Sequence, residues 1–246
     1  MRTLRGWSRW ALGGLALSTF ASFCTAAALG HRFEIIGRLI ADASSVSEAD
    51  ADASDTTVAI LSITSVILLV LSGIVFVGWL YVAAKTAQRL RPAALRHRPG
   101  WAIGGWFVPV LWWWRPMQMV HDVWAAGGPP EPHVTRSPLV GWWWGVFLVS
   151  SAAGTLGGDL SDNLTLQGLS DQTVVDILRQ LLDSAAGVLA IFVVAIATGR
   201  LLRQTPDAAL PLPPDPTQPP TTRAEDRGWE TDPEFDARWE RWSRGE

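Results

Sequence analysis

Residues 57–84 read TVAILSITSVILLVLSGIVFVGWLYVAA, 28 residues without a charge. A bilayer core of about 30 Å is crossed by roughly 20 helical residues, so this run is long enough to cross at a tilt. The whole chain leans the same way. It is 48% apolar and 17% charged, against about 25% charged in an ordinary soluble domain.

Working outward, three more uncharged runs meet or approach that length: Trp10 to Gly30, Ser137 to Gly158 and Ser184 to Gly199. The last extends to Leu202 if Arg200 carries its guanidinium to the interface. The expectation is an all-α, multi-pass transmembrane bundle over residues 1–203, with four spans at about 10–30, 57–84, 137–158 and 184–202. The first run also has marks of a signal peptide, with Arg2, Arg5 and Arg9 ahead of it and Ala26-Ala27-Ala28 at its end. Its length exceeds a usual h-region and favours a retained helix.

Gly100 to Trp114 is different. Its 15 uncharged residues are interrupted by Gly104-Gly105 and Pro109, then closed by Arg115-Pro116. At about 1.5 Å per residue a straight helix there falls short of a crossing. Residues 100–124 are read as a Trp-rich interfacial or re-entrant segment, with a fifth crossing as the alternative. Lys and Arg counts near the membrane arbitrate. With four spans the inner side holds Arg2, Arg5, Arg9, Lys85, Arg89, Arg91, Arg96, Arg98, Arg115, Arg136, Arg200 and Arg203, and the outer side Arg32, Arg38 and Arg179: 12 against 3. With five the count is 9 against 6. Four spans and two cytoplasmic termini in the cell membrane are the expectation. The stretches assigned to the outer loops lack Trp and carry acids instead, among them Glu48, Asp50, Asp52 and Asp55.

Within the Trp-rich segment, Pro116 suits a first helical turn. Met117, Val120 and Trp124 then share one face, and Arg115, Gln118 and Asp122 another, as in a helix lying at an interface. The plain reading has Trp101, Trp106, Trp112, Trp113, Trp114, Trp142 and Trp143 as interfacial anchors. Arg115 meets lipid phosphate, with a cation–π contact to the tryptophans before it. The sharper reading has Arg115, Gln118, His121 and Asp122 binding a ligand or partner.

The stretch Pro99-Gly-Trp-Ala-Ile-Gly-Gly-Trp-Phe-Val-Pro-Val110, with Arg115-Pro116 and Asp122-Val123-Trp124 after it and Trp142-Trp143 beyond, resembles a bacterial, largely actinobacterial membrane family, the domain of unknown function numbered 4328. The resemblance covers roughly residues 57 to 203. Trp112 stands where the family pattern suggests Asn, and Met117 where it often has Tyr. The resemblance implies membrane residence and no established activity.

Small residues let helices approach closely in lipid. Gly14, Ser18 and Ser22 recur in the first run, Gly141 and Gly145 form a G-x-x-x-G in the third, and Gly187, Ala195 and Gly199 recur in the fourth. They fit a compact bundle, with Gly141 and Gly145 as a possible homo-oligomer contact. Residues 204–246 read as a Pro-rich cytoplasmic tail, with a short amphipathic helix at 232–244 that would form on docking to the membrane, to the protein itself or to a protein partner. The spans carry no charge, which argues against proton pumping. No nucleophile elbow, zinc-protease motif or phosphate-binding loop is present. Cys24 is the only cysteine, which excludes an intrachain disulfide. The net charge of −3 argues against nucleic acid. No cofactor or metal is expected. The reading is an integral membrane interaction or accessory protein, with transport or binding of an uncharged or lipid-like molecule as the alternative.

Overall fold

A computed structural model describes residues 2–128, 137–156 and 165–204. The tail, including the helix expected at 232–244, lies outside the described residues. Helices and turns, without strands, make up the described residues. They form α1 (Arg2–Ala41), α2 (Glu48–Leu90), α3 (Trp101–Gly104), α4 (Arg115–Ala126), α5 (Pro138–Leu156) and α6 (Leu166–Arg203), with single 3-10 turns at Pro92–Ala94 and Leu111–Trp113.

Among the described residues three helices are long and apolar enough to cross a membrane: α1, α2 and α6. This corrects the expected four. The third apolar run forms α5, 19 residues long among the described residues and below the length of the other three. The others overshoot instead. With 40, 43 and 38 residues, they are about 57–65 Å long, twice a bilayer core. The residues expected as acidic outer loops are therefore largely helix. Ser47 caps α2 by accepting from the Asp50 N–H, with Glu48 and Asp50 in the first turn. Thr165 caps α6 through the Gly168 N–H at 3.0 Å. Acids suit that position because the helix N-terminus is electropositive. At its other end α2 stops at Arg91 (φ −146°, ψ 85°), where the following Pro92 disfavours helical geometry.

α1 packs between α2 and α6, and α5 packs along α6. α1 and α2 run antiparallel: Trp7 covers Gly78, Gly14 faces Ser72, Thr25 Oγ1 lies 2.7 Å from Ser65 Oγ, and Arg32 Nε lies 2.9 Å from Asp55 Oδ1. Gly187 of α6 sits under Thr19 of α1. Ser18, Ser22, Ser65 and Ser72 are buried, so small residues make these contacts as the close-approach argument requires. Gly141, Gly145 and Gly199 have open space around them and take no part in the bundle's own packing. The start of α1 and the ends of α2 and α6 thus share one end of the bundle, where Trp79 Nε1 donates to Thr198 Oγ1 at 3.0 Å. The segment from Pro92 to Gly128 folds over that end as a cap.

Candidate functional site

The cap is built on α4. Its Pro116, Met119, Val120, Asp122, Val123, Trp124 and Ala126 are buried against α2, α5 and α6. Asp122, expected on a polar face, is therefore inside. Its side chain is only 4% exposed, and a buried carboxylate requires a partner. Arg96 supplies two contacts. Arg96 Nε donates to Asp122 Oδ1 at 2.8 Å, and the Arg96 backbone N–H donates to Oδ2 at 3.1 Å. The link ties the chain leaving α2 to the middle of α4.

Arg115 organises a second cluster. Its Nη1 donates to Gln118 Oε1 at 3.3 Å and to His97 Nε2. A guanidinium has no acceptor, so the His97 Nε2 must carry a lone pair. Burial first, and the neighbouring Arg115 charge second, hold His97 below the usual imidazole range, in keeping with that role. The guanidinium stacks 5.2 Å from the centre of the Trp101 ring. The expected cation–π contact thus exists, but with Trp101 and not with the tryptophans at 112–114. Gly105 explains the glycine pair of the motif: a Cβ there would stand 2.8 Å from Arg115 Cγ and 2.9 Å from the Trp101 carbonyl. Arg115 Nε is buried without a hydrogen-bond partner, so the cluster keeps one unused donor.

The tryptophans divide into two sets. Trp106 meets Phe76, Trp144 and Phe147 edge to face. Trp143 is buried against Phe76, and Trp144 Nε1 donates to the Trp113 carbonyl at 2.7 Å. These fasten the cap to α2 and α5. Trp101, Trp113, Trp114 and Trp142 are exposed, Trp142 by 70%, and Phe107 beside them by 79%. Trp112 is half-buried, with its ring centre 5.7 Å from that of Trp113. Arg200 of α6 lies 4.3 Å over the Trp124 ring. Gln204 donates to the carbonyls of Gly127 and Gly128.

Of the four polar candidates, Arg115 and Gln118 come together. Asp122 turns inward to Arg96, and His121 is half-buried elsewhere on α4. Sequence reasoning missed Arg96 and His97. Both lie in the short Leu95–Arg98 link, whose alternation of basic and ring side chains beside a Trp-rich motif was the available signal. Among the described residues no group of three His, Cys, Asp or Glu side chains is placed to hold a metal.

No curated protein and no solved structure matches this chain. A family model described as Domain of unknown function (DUF4328) matches residues 42–199. The match begins just after α1, then takes in α2, the entire cap, α5 and α6 up to Gly199. The elements that build the cap are therefore the matched elements, and the chain belongs to the DUF4328 family.

Proposed function

We propose that this is an integral protein of the cell membrane whose capped end faces the cytoplasm and serves as an interaction module for a protein partner. The observation that carries the reading is the pairing of two surfaces. Along α2, Ile60, Ile63, Val66, Ile67, Val70, Leu71 and Ile74 are all exposed, a face far more apolar than water tolerates and suited to lipid. At one end of that face stands the exposed aromatic rim of the cap, beside Lys85, Arg89, Arg96, Arg98, Arg115, Arg200 and Arg203. Aromatic rings at the headgroup level and an excess of basic residues mark the cytoplasmic boundary. In this reading α1, α2 and α6 cross, α5 leads the chain from the capped side back toward the start of α6, and the cap and residues 204–246 each offer surface to a partner. Transport draws less support, because Phe76, Trp79, Trp143, Val193 and Val194 fill the bundle beneath the cap.

Impermeant maleimide labelling of intact spheroplasts tests the orientation in a Cys24→Ala background. A cysteine at Ala43, in the exposed turn between α1 and α2, is expected to label, and one at Ala93 to be protected. The reverse pattern rejects a cytoplasmic cap. Deleting residues 205–246 is expected to leave insertion intact and abolish partner co-purification. Unchanged pull-downs from detergent exclude a tail-based partner.

A further inference from the structure

The other end of the bundle carries a feature that the interaction reading does not use. Near the turn at 42–47, α1 and α2 border a half-open cavity of about 430 Å³, within the usual range for small-molecule sites of roughly 300–1,000 Å³. Ile35 and Val46 give it apolar wall. Arg38 and His31 reach it from α1, and Asp50 from α2.

The deciding atom is Ser54 Oγ. Ser54 lines the cavity and is only 7% exposed, yet its hydroxyl has no hydrogen-bond partner. Many helical hydroxyls among the described residues donate back to a carbonyl three or four residues earlier, although Thr19 Oγ1, packed over Gly187, also lacks a partner. Ser8, Ser18, Ser72, Ser150 and Ser184 donate in this way, and so does Thr57 beside the same cavity. A buried polar atom left unpaired is uncommon, and Ser54 is among the residues that line the cavity.

The charges add the second constraint. The ion pairs among the described residues join Arg32 to Asp55, Arg96 to Asp122 and Arg179 to Asp183. Arg38 and Asp50 border the same cavity from opposite helices and belong to none of them. Asp50 Oδ2 accepts from Ser47 Oγ at 2.7 Å, which leaves Oδ1 for another donor. The Arg38 and Asp50 side chains are both exposed, and a ligand with a single charge would use one wall only.

We infer that this cavity binds a small zwitterion, whose acidic oxygens meet Arg38 and whose ammonium group meets Asp50, with the buried Ser54 hydroxyl turning to hydrogen-bond its inner end. His31 adds a second donor on the Arg38 side. The chemistry is shared by free α-amino acids and by the phosphoethanolamine headgroup of a lipid, and the test separates them.

The full chain, in a phospholipid-free detergent, is unfolded by heat and followed by the fluorescence of its cap tryptophans. Probes are an equimolar mixture of the proteinogenic L-amino acids, and O-phosphoethanolamine. A ligand of the folded state raises the melting temperature by mass action. At least one probe is expected to do so. Arg38→Gln and Asp50→Asn are each expected to weaken the effect roughly 10- to 100-fold, as for charged hydrogen bonds. Asn keeps an acceptor for Ser47, so the cap of α2 survives the second change. Ser54→Ala is expected to weaken binding roughly 3- to 10-fold while leaving the unliganded protein at least as stable, since it deletes an unpaired buried hydroxyl. A rise with amino acids assigns a soluble solute. A rise with phosphoethanolamine alone, reproduced by phosphatidylethanolamine bicelles, assigns a lipid headgroup. No rise with either probe overturns the site, and so does a rise that survives both Arg38→Gln and Asp50→Asn. None of these readouts depends on which way the cap faces.

Discussion

Asp122 and the Arg96 that pairs with it are worth more than their visibility in the sequence suggests. A carboxylate this buried cannot be left alone, but Arg96 is half exposed and its side of the pair is screened. Asp122→Ala is expected to cost about 1–3 kcal/mol, read as a lowered thermal midpoint in detergent. Glycines sort by what a methyl group would meet. At Gly127 a Cβ would lie 2.7 Å from Arg200 Cβ and 3.0 Å from the Leu201 backbone nitrogen, and backbone yields little. Gly127→Ala is expected to destabilise by about 1–3 kcal/mol, the usual overpacking range. Gly141→Ala, in open space, should leave the monomer unchanged. If Gly141 instead lies in a contact between copies, Gly141→Leu changes the mass measured by light scattering and not the melting point.

His97 makes the residue scale pH-sensitive. Its folded pKa is depressed, chiefly by burial and then by Arg115, so across that window the unfolded chain binds more protons than the folded one. Stability then rises with pH through the window and falls as the pH drops below the ordinary imidazole value of about 6.5. The melting temperature of the wild type is expected to decline on acidification through that range. His97→Gln, which retains an acceptor for Arg115, should decline less. An identical slope in the two proteins removes His97 as the cause.

At the scale of elements, the long helices were only half legible. Their apolar middles are obvious, because a bilayer selects by composition and composition is local. Their polar ends were read as loops, since Asp50, Asp52 and Asp55 resemble loop residues. They belong to α2 because its Ser47 cap and electropositive start welcome them. Removing that cap with Ser47→Ala is expected to cost about 0.5–2 kcal/mol. It should also speed amide hydrogen exchange over residues 48–56 and leave residues 60–80 protected. Equal exchange in both segments would contradict a cap that acts on the first turns of α2 alone.

At the scale of the whole molecule, α1 holds a position that its sequence does not announce. It lies outside the family match, yet it packs between α2 and α6. It covers Ser65 and Ser72, which are buried and would otherwise lie on the surface of α2. A chain lacking residues 1–41 is expected to insert but to lose the single symmetric peak of the full chain on size exclusion. A monodisperse truncated protein means that α2, α5, α6 and the cap assemble without α1.

The sequence by itself determined the all-helical class, the apolar helices, the Trp-rich segment and the family. Each of these rests on residue types within one short window, where hydropathy and motif spacing act. Only the tertiary structure decided the pairings: Arg96 with Asp122 across 26 residues, His97 with Arg115 across 18, Trp79 with Thr198 across 119. It also decided that Arg115 stacks on Trp101, and that Ser54 is left unpaired beside a cavity. Those outcomes depend on how α1, α2 and α6 bring distant segments together. A charge or a hydroxyl has no partner until packing removes its water and leaves a particular neighbour in reach.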